Sequence, residues 1–159
     1  MNMTITETLL NHAEPLEAGE YKLIPAEAED TDFIINLAIV EQYCVNTAEA
    51  LRESYLAQAY AVWIGTWQDK VIGVAIIHHV KVNKKGTRIF TFDAFEIPQK
   101  NASSSYMFGK MIMAWADKKS IRPMHTAHNL KNRAATIACL RLGFKKFAES
   151  QGNILMRRN

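Results

Sequence analysis

Only two cysteines, Cys44 and Cys139, occur in the 159 residues. They give no disulfide framework and no metal-ligand spacing, so a reducing, cytoplasmic setting without a metal is the expectation. Apolar runs never approach the roughly 20 residues that a membrane span needs. The opening stretch MNMTITETLLNHAEPLEAGE is acidic and polar, unlike a secretory leader. The chain also lacks internal repeats, low-complexity linkers, zinc motifs and RNA-binding aromatic signatures. Acidic side chains are scarce in the second half: residues 81–159 hold 4 against 16 basic ones, whereas residues 1–80 hold 12 against 3. The halves thus carry about −9 and +12 within a net charge of +3. Either the C-terminal half meets an anion, such as a phosphate-bearing cofactor or nucleic acid, or the two halves neutralise each other across the fold.

What is present suits one α/β domain. The hydrophobic share of 48% is ordinary for a globular chain of this length. The chain is organised around residues 88–119, RIFTFDAFEIPQKNASSSYMFGKMIMAWADKK. Alternating apolar and polar residues predict a strand over 88–97, which Pro98 stops because it cannot donate to a ladder. From Ser104 or Ser105 the apolar residues Met107, Phe108, Met111, Ile112 and Trp115 recur at helical spacing, with serine as N-cap. A polar loop that delivers a helix N-terminus just past a strand is suited to an anion, because free amides and the helix dipole both favour negative charge.

In order, residues 1–19 read as an arm ahead of a single domain spanning 20–159. A short strand over 21–25 precedes a helix capped by Asp30, and a second helix begins near Thr47. Strands over 59–67 and 71–82, with turns at 68–70 and 83–86, lead into the organising strand. A strand over 122–127 follows the organising helix. A helix over 133–142, capped by Asn132 and ended by Gly143, comes next. A hairpin around 151–153 closes the chain. The order is β-α-α-β-β-β-α-β-α-β-β, a mixed, mostly antiparallel sheet flanked by helices.

That order resembles the GNAT acetyltransferase superfamily over residues 20–157. The family's acyl-CoA loop reads Gln/Arg-x-x-Gly-x-Gly/Ala, and the matching stretch is Gln99-Lys100-Asn101-Ala102-Ser103-Ser104, with small residues at the glycine positions. The family's late helix carries Asn-x-x-Ala, then an aromatic, then Gly-Phe. Here Asn132-Arg133-Ala134-Ala135 is followed by Cys139 and by Gly143-Phe144.

The resemblance implies an N-acetyltransferase that moves an acetyl group from acetyl-CoA to an amine acceptor. It implies cofactor contacts from Phe95, Ile97, Gln99, Lys100, Asn101, Ala102, Ser103, Ser104, Ser105, Asn132 and Ala135. Ala102, Ser103 and Ser104 are small enough to let the backbone approach a pyrophosphate. Lys131 and Arg133 would also lie near the phosphates. In this reading, Glu96 is the first candidate for the base, with a surface carboxylate as the alternative. Period-two parity sets Glu96 with Phe90, Phe92 and Ala94, and puts Asp93 with Phe95 and Ile97. Cys139 occupies the family's usual tyrosine acid position, although a lone helix cysteine is more often a small core residue. His78 and His79 must point to opposite faces. Two other classes stay open, a GNAT-like binding or assembly protein without catalysis and a nucleic-acid-directed acyltransferase. The arm and the final strands are candidate contact elements for a homodimer.

Overall fold

Alternating β-branched and aromatic residues make strands here, and apolar residues at helical spacing make the helices laid across them. The computed structural model describes residues 11–40, 56, 58–81, 83–97 and 104–159. In chain order these form β1 (Leu16–Ala18), β2 (Tyr21–Pro25), α1 (Thr31–Val40), β3 (Ala59–Trp67), β4 (Lys70–Lys81) and β5 (Arg88–Glu96). Then follow α2 (Ser104–Lys118), β6 (Met124–Asn129), α3 (Arg133–Arg141), β7 (Lys145–Ser150) and β8 (Asn153–Arg158). The eight-stranded sheet has the order β1-β2-β3-β4-β5-β6-β8-β7. All neighbouring strands are antiparallel except β5 and β6, which are parallel. This is the mixed, mostly antiparallel sheet read from the sequence. The helix expected near Thr47 lies outside the described residues.

Strand alternation gives the sheet two apolar faces, and each is covered by a helix. On one face Phe108, Ile112 and Trp115 of α2 pack on Leu23, Ala61, Trp63 and Phe92, and on Phe144 and Met156 from the end of the chain. On the other, Ile34, Ile35 and Leu37 of α1 pack on Val62, Ile64, Val74, Ile76 and Phe95. Trp63 and Trp115 meet edge to face, with ring centroids 5.1 Å apart, a favoured aromatic geometry. Gly65 leaves room for α2: a Cβ there would stand 2.4 Å from the Phe108 ring. His78 is buried and His79 exposed, and as neighbours on a strand they face opposite sides of the sheet.

Part of the expected arm belongs to the sheet. Leu16–Ala18 pairs with β2 as its outer neighbour. The Asn11 amide behaves like a peptide group, donating to the carbonyls of Val62 (2.8 Å) and Ala26 (3.0 Å) and accepting from the Val62 N–H (2.9 Å). Strand β6 begins at Met124, after Pro123, which has no N–H to give a ladder. It continues to Asn129, past the end at 127 expected from the sequence, so His128 and Asn129 lie on the strand. Gln68 and Asp69 both have positive φ, at 50° and 63°, which suits a two-residue hairpin turn.

Candidate functional site

Strands β5 and β6 begin side by side and then separate. Phe90 pairs with Met124 and Thr91 with His125, and the ladder goes no further. The Phe90 N–H donates to the Pro123 carbonyl at 3.2 Å, and the Ile97 N–H donates to the Ile72 carbonyl at 2.9 Å. Backbone groups along a strand alternate between its two neighbours. Even-numbered residues of β5 therefore turn toward β6, and odd-numbered ones turn toward β4. The Thr126 hydroxyl takes the Phe92 carbonyl at 2.8 Å. Beyond that contact, the backbone groups of Ala94 and Glu96 face the opening. Among the described residues no further backbone pair forms on this side of β5, and an open strand edge accepts an extended, amide-bearing ligand as a further strand.

The mouth of the opening is an end of α2. The helix starts at Ser104, which is buried, and its first amides have no partner inside the helix. The Ser105 N–H donates to the Glu96 carboxylate, so a strand-end anion caps this helix. Glu96 lies on the α2 face of the sheet with Phe92 and Ala94, whereas Phe95 and Ile97 pack with α1. The parity read from the sequence is the parity of the structure. Residues 98–103, which include Gln99, Lys100, Asn101, Ala102 and Ser103, lie outside the described residues.

Helix α3 forms the other flank. Asn132 caps it, its side chain accepting from the Ala135 N–H at 3.1 Å. His128 on β6 reaches the Thr136 hydroxyl at 2.7 Å, tying the strand to the helix. Burial holds the His128 imidazole below its ordinary value, so it is neutral near pH 7. Cys139 is half-buried and packs against the α2-side core. Burial pushes its thiol up to about 11, which keeps it neutral and makes it a weak proton donor. Lys131 and Arg133 are exposed at the start of α3. Among the described residues no group of three or more histidine, cysteine or acidic side chains could hold a metal, and no helix is long and apolar enough to cross a membrane.

The structure therefore brings Glu96, Ser104 and Ser105 together at one end of the opening and sets Asn132, Ala135 and Cys139 on α3. Sequence reasoning did not pick out Thr126, His128 or the backbone of Ala94. Nothing in their residue types distinguishes them; their positions depend on where β6 leaves β5.

No family model matches the chain, and no curated protein sequence does. Solved structures do. The ribosomal-protein-S5-alanine acetyltransferase from Vibrio fischeri is 13% identical, with a TM-score of 0.65 over 92% of this chain and 96% of that one. An Arabidopsis thaliana protein in complex with the bisubstrate analogue CoA-Ac-MVNAL is 11% identical, with a TM-score of 0.68 over 88% and 99%. The Salmonella typhimurium yncA structure, with its cofactor acetyl-CoA, is 14% identical, with a TM-score of 0.66 over 87% and 92%. Sequences this distant share an architecture, and the architecture of this chain is the GNAT acetyltransferase fold.

Proposed function

We propose that the chain is an acyl-CoA-dependent N-acetyltransferase that transfers acetyl from acetyl-CoA to an amine. The observation that carries this reading is the separation of β5 from β6 after two pairs, beside the N-terminus of α2. The residues present suit the donor. The open β5 backbone at Ala94 and Glu96 matches an amide-bearing pantetheine arm, and the positive end of α2 matches a pyrophosphate. Lys131, Arg133 and the basic second half of the chain favour an anionic donor. Acetyl-CoA supplies the activated acyl group. Glu96 takes a proton from the acceptor ammonium. The free amine then attacks the thioester carbonyl, the carbon–sulfur bond breaks as the carbon–nitrogen bond forms, and the second nitrogen proton leaves with the sulfur. Cys139, neutral and weakly acidic, takes no part in that proton transfer.

A second reading, a GNAT-fold binding or assembly protein without turnover, draws support from the same Cys139, which stands where the resemblance puts an aromatic acid. Calorimetric titration with acetyl-CoA, followed by an amine screen for thiol release, separates the two. Saturable binding with amine-dependent thiol release supports the transferase. Binding with no release from any amine supports the scaffold, and no binding at millimolar ligand ends the donor reading.

A further inference from the structure

Between α2 and the chain at β1 runs a groove of about 660 Å³, within the size range of small-molecule sites. Its lining is apolar at the centre, with Leu16 and Ala18 on the strand side and Met107, Met111 and Trp115 on the helix. Ala114 is exposed on the same side of α2, and its small side chain leaves the middle of the groove open. The two methionines let the lining adapt to the shape of a ligand.

The polar groups along the groove do not balance. Glu14 and Lys119 are paired with each other at 2.5 Å, each about half exposed. Lys110 and Lys118 have no carboxylate within ion-pair distance among the described residues, and Glu17 is the only other acidic side chain in the lining. The indole of Trp115 is a separate observation. The residue is 6% exposed, and its Nε1–H is buried with no acceptor in hydrogen-bond geometry. Trp63, packed edge to face against it, gives its own N–H to the Glu14 carbonyl at 2.8 Å. The Glu14 carboxylate stands close enough to feel the Trp115 indole, but Lys119 chiefly holds it. A buried indole donor ordinarily has a partner, and leaving it without one costs stability.

We infer that this groove binds a fatty carboxylate, its head between Trp115 and Lys118 and its chain along α2 toward Met107. Trp115 and Lys118 are three residues apart and so share one side of the helix. A carboxylate set between them accepts from the indole N–H and the ammonium together, a charge-assisted arrangement. It reaches Nε1 by parting the half-exposed Glu14–Lys119 pair. The chain then lies over Ala114, Met111 and Met107, against Leu16 and Ala18. From Lys118 back to Met107 the helix spans about 16 Å, which suits a chain of about a dozen carbons. A cationic amphiphile of the same length would meet Lys110 and Lys118 unfavourably. The groove shares none of these residues with the opening between β5 and β6, so the inference stands apart from the acyl-CoA reading.

The experiment titrates the protein with dodecanoate by calorimetry, with dodecyltrimethylammonium as a control of equal chain length and opposite charge. Dodecanoate should saturate one site below millimolar concentration, and the cation should not. Lys118→Gln should weaken dodecanoate about fivefold, the worth of an exposed ion pair. Ala114→Leu, at an exposed helix position that leucine suits, should fill the groove and remove saturable binding. In the unaltered protein, the Trp115 indole N–H resonance should move downfield along the same saturation curve. Saturating acetyl-CoA should leave dodecanoate affinity unchanged, whether or not the acyl-CoA reading holds. Failure to saturate at millimolar dodecanoate, equal binding of the cation, or a Trp115 resonance that stays still overturns the inference. Wild-type affinity in Ala114→Leu, or competition by acetyl-CoA, also overturns it, because the fatty chain would then lie outside this groove.

Discussion

Arg158 and Asp117 form a two-pronged ion pair, Nη1 and Nη2 each donating to one carboxylate oxygen at 2.7 and 2.8 Å. The same guanidinium donates from Nε to the Leu142 carbonyl at 2.8 Å, so the last strand is tied to the end of α2 and to the residue that closes α3. A planar guanidinium with three aligned donors does this and an ammonium does not.

Replacement of Arg158 by alanine should destabilise the fold by about 1–2 kcal/mol, combining a partly exposed ion pair with a lost hydrogen bond to a helix-end carbonyl. Asp117→Asn should cost less, because the Leu142 contact survives. The Asp117 carboxyl is held below its ordinary range, chiefly by Arg158. That contribution to stability is present above the unfolded carboxylate range, near pH 4, and is lost as the pH falls through it. Urea midpoints at neutral and acid pH check both points; equal midpoints for wild type and Arg158→Ala would show that the pair contributes nothing.

Gly65→Ala should weaken the seat of α2. The new methyl would lie 2.4 Å from the Phe108 ring, and overpacking of this kind costs about 1–3 kcal/mol. A second change, Phe108→Leu, makes room and should recover part of the loss. If the double variant is no more stable than expected from adding the two single effects, the clash is not the cause.

Cys139 should resist alkylation. With its thiol pushed up to about 11 by burial, about one molecule in a thousand carries the thiolate at pH 8. In a Cys44→Ser background, iodoacetamide should label Cys139 at least about a hundredfold more slowly than a free thiol. The folded protein favours the neutral thiol, so this stability is present below about pH 8.5 and lost as the pH rises toward the folded value. Labelling at the rate of a small-molecule thiol would mean that the sulfur is open to solvent.

His128 should titrate below its ordinary value of about 6.5, because burial disfavours the imidazolium. Its folded form is the neutral one, bonded to Thr136 at 2.7 Å. Stability from this group is therefore present above about pH 6.5 and lost as the pH falls. An NMR titration of the His128 ring gives the midpoint directly. A midpoint at or above the value of a free histidine contradicts the burial seen here.

Local pattern alone determined the meander of β3 to β5, the helix that begins at Ser104, the Asn132 cap and the glycine stop after α3, which takes a φ of 94° at Gly143. These follow from period-two and helical periodicity and from caps, which act over a few residues. The side of β5 that carries Glu96 was legible for the same reason. Tertiary structure alone decided that Leu16–Ala18 would join the sheet, that β6 would leave β5 after two pairs, and that Glu96 would meet the Ser105 amide. It also decided that Cys139 would be buried deeply enough to lose its acidity. Each of these depends on which distant segment arrives beside a residue and excludes water from it, and no local periodicity carries that information.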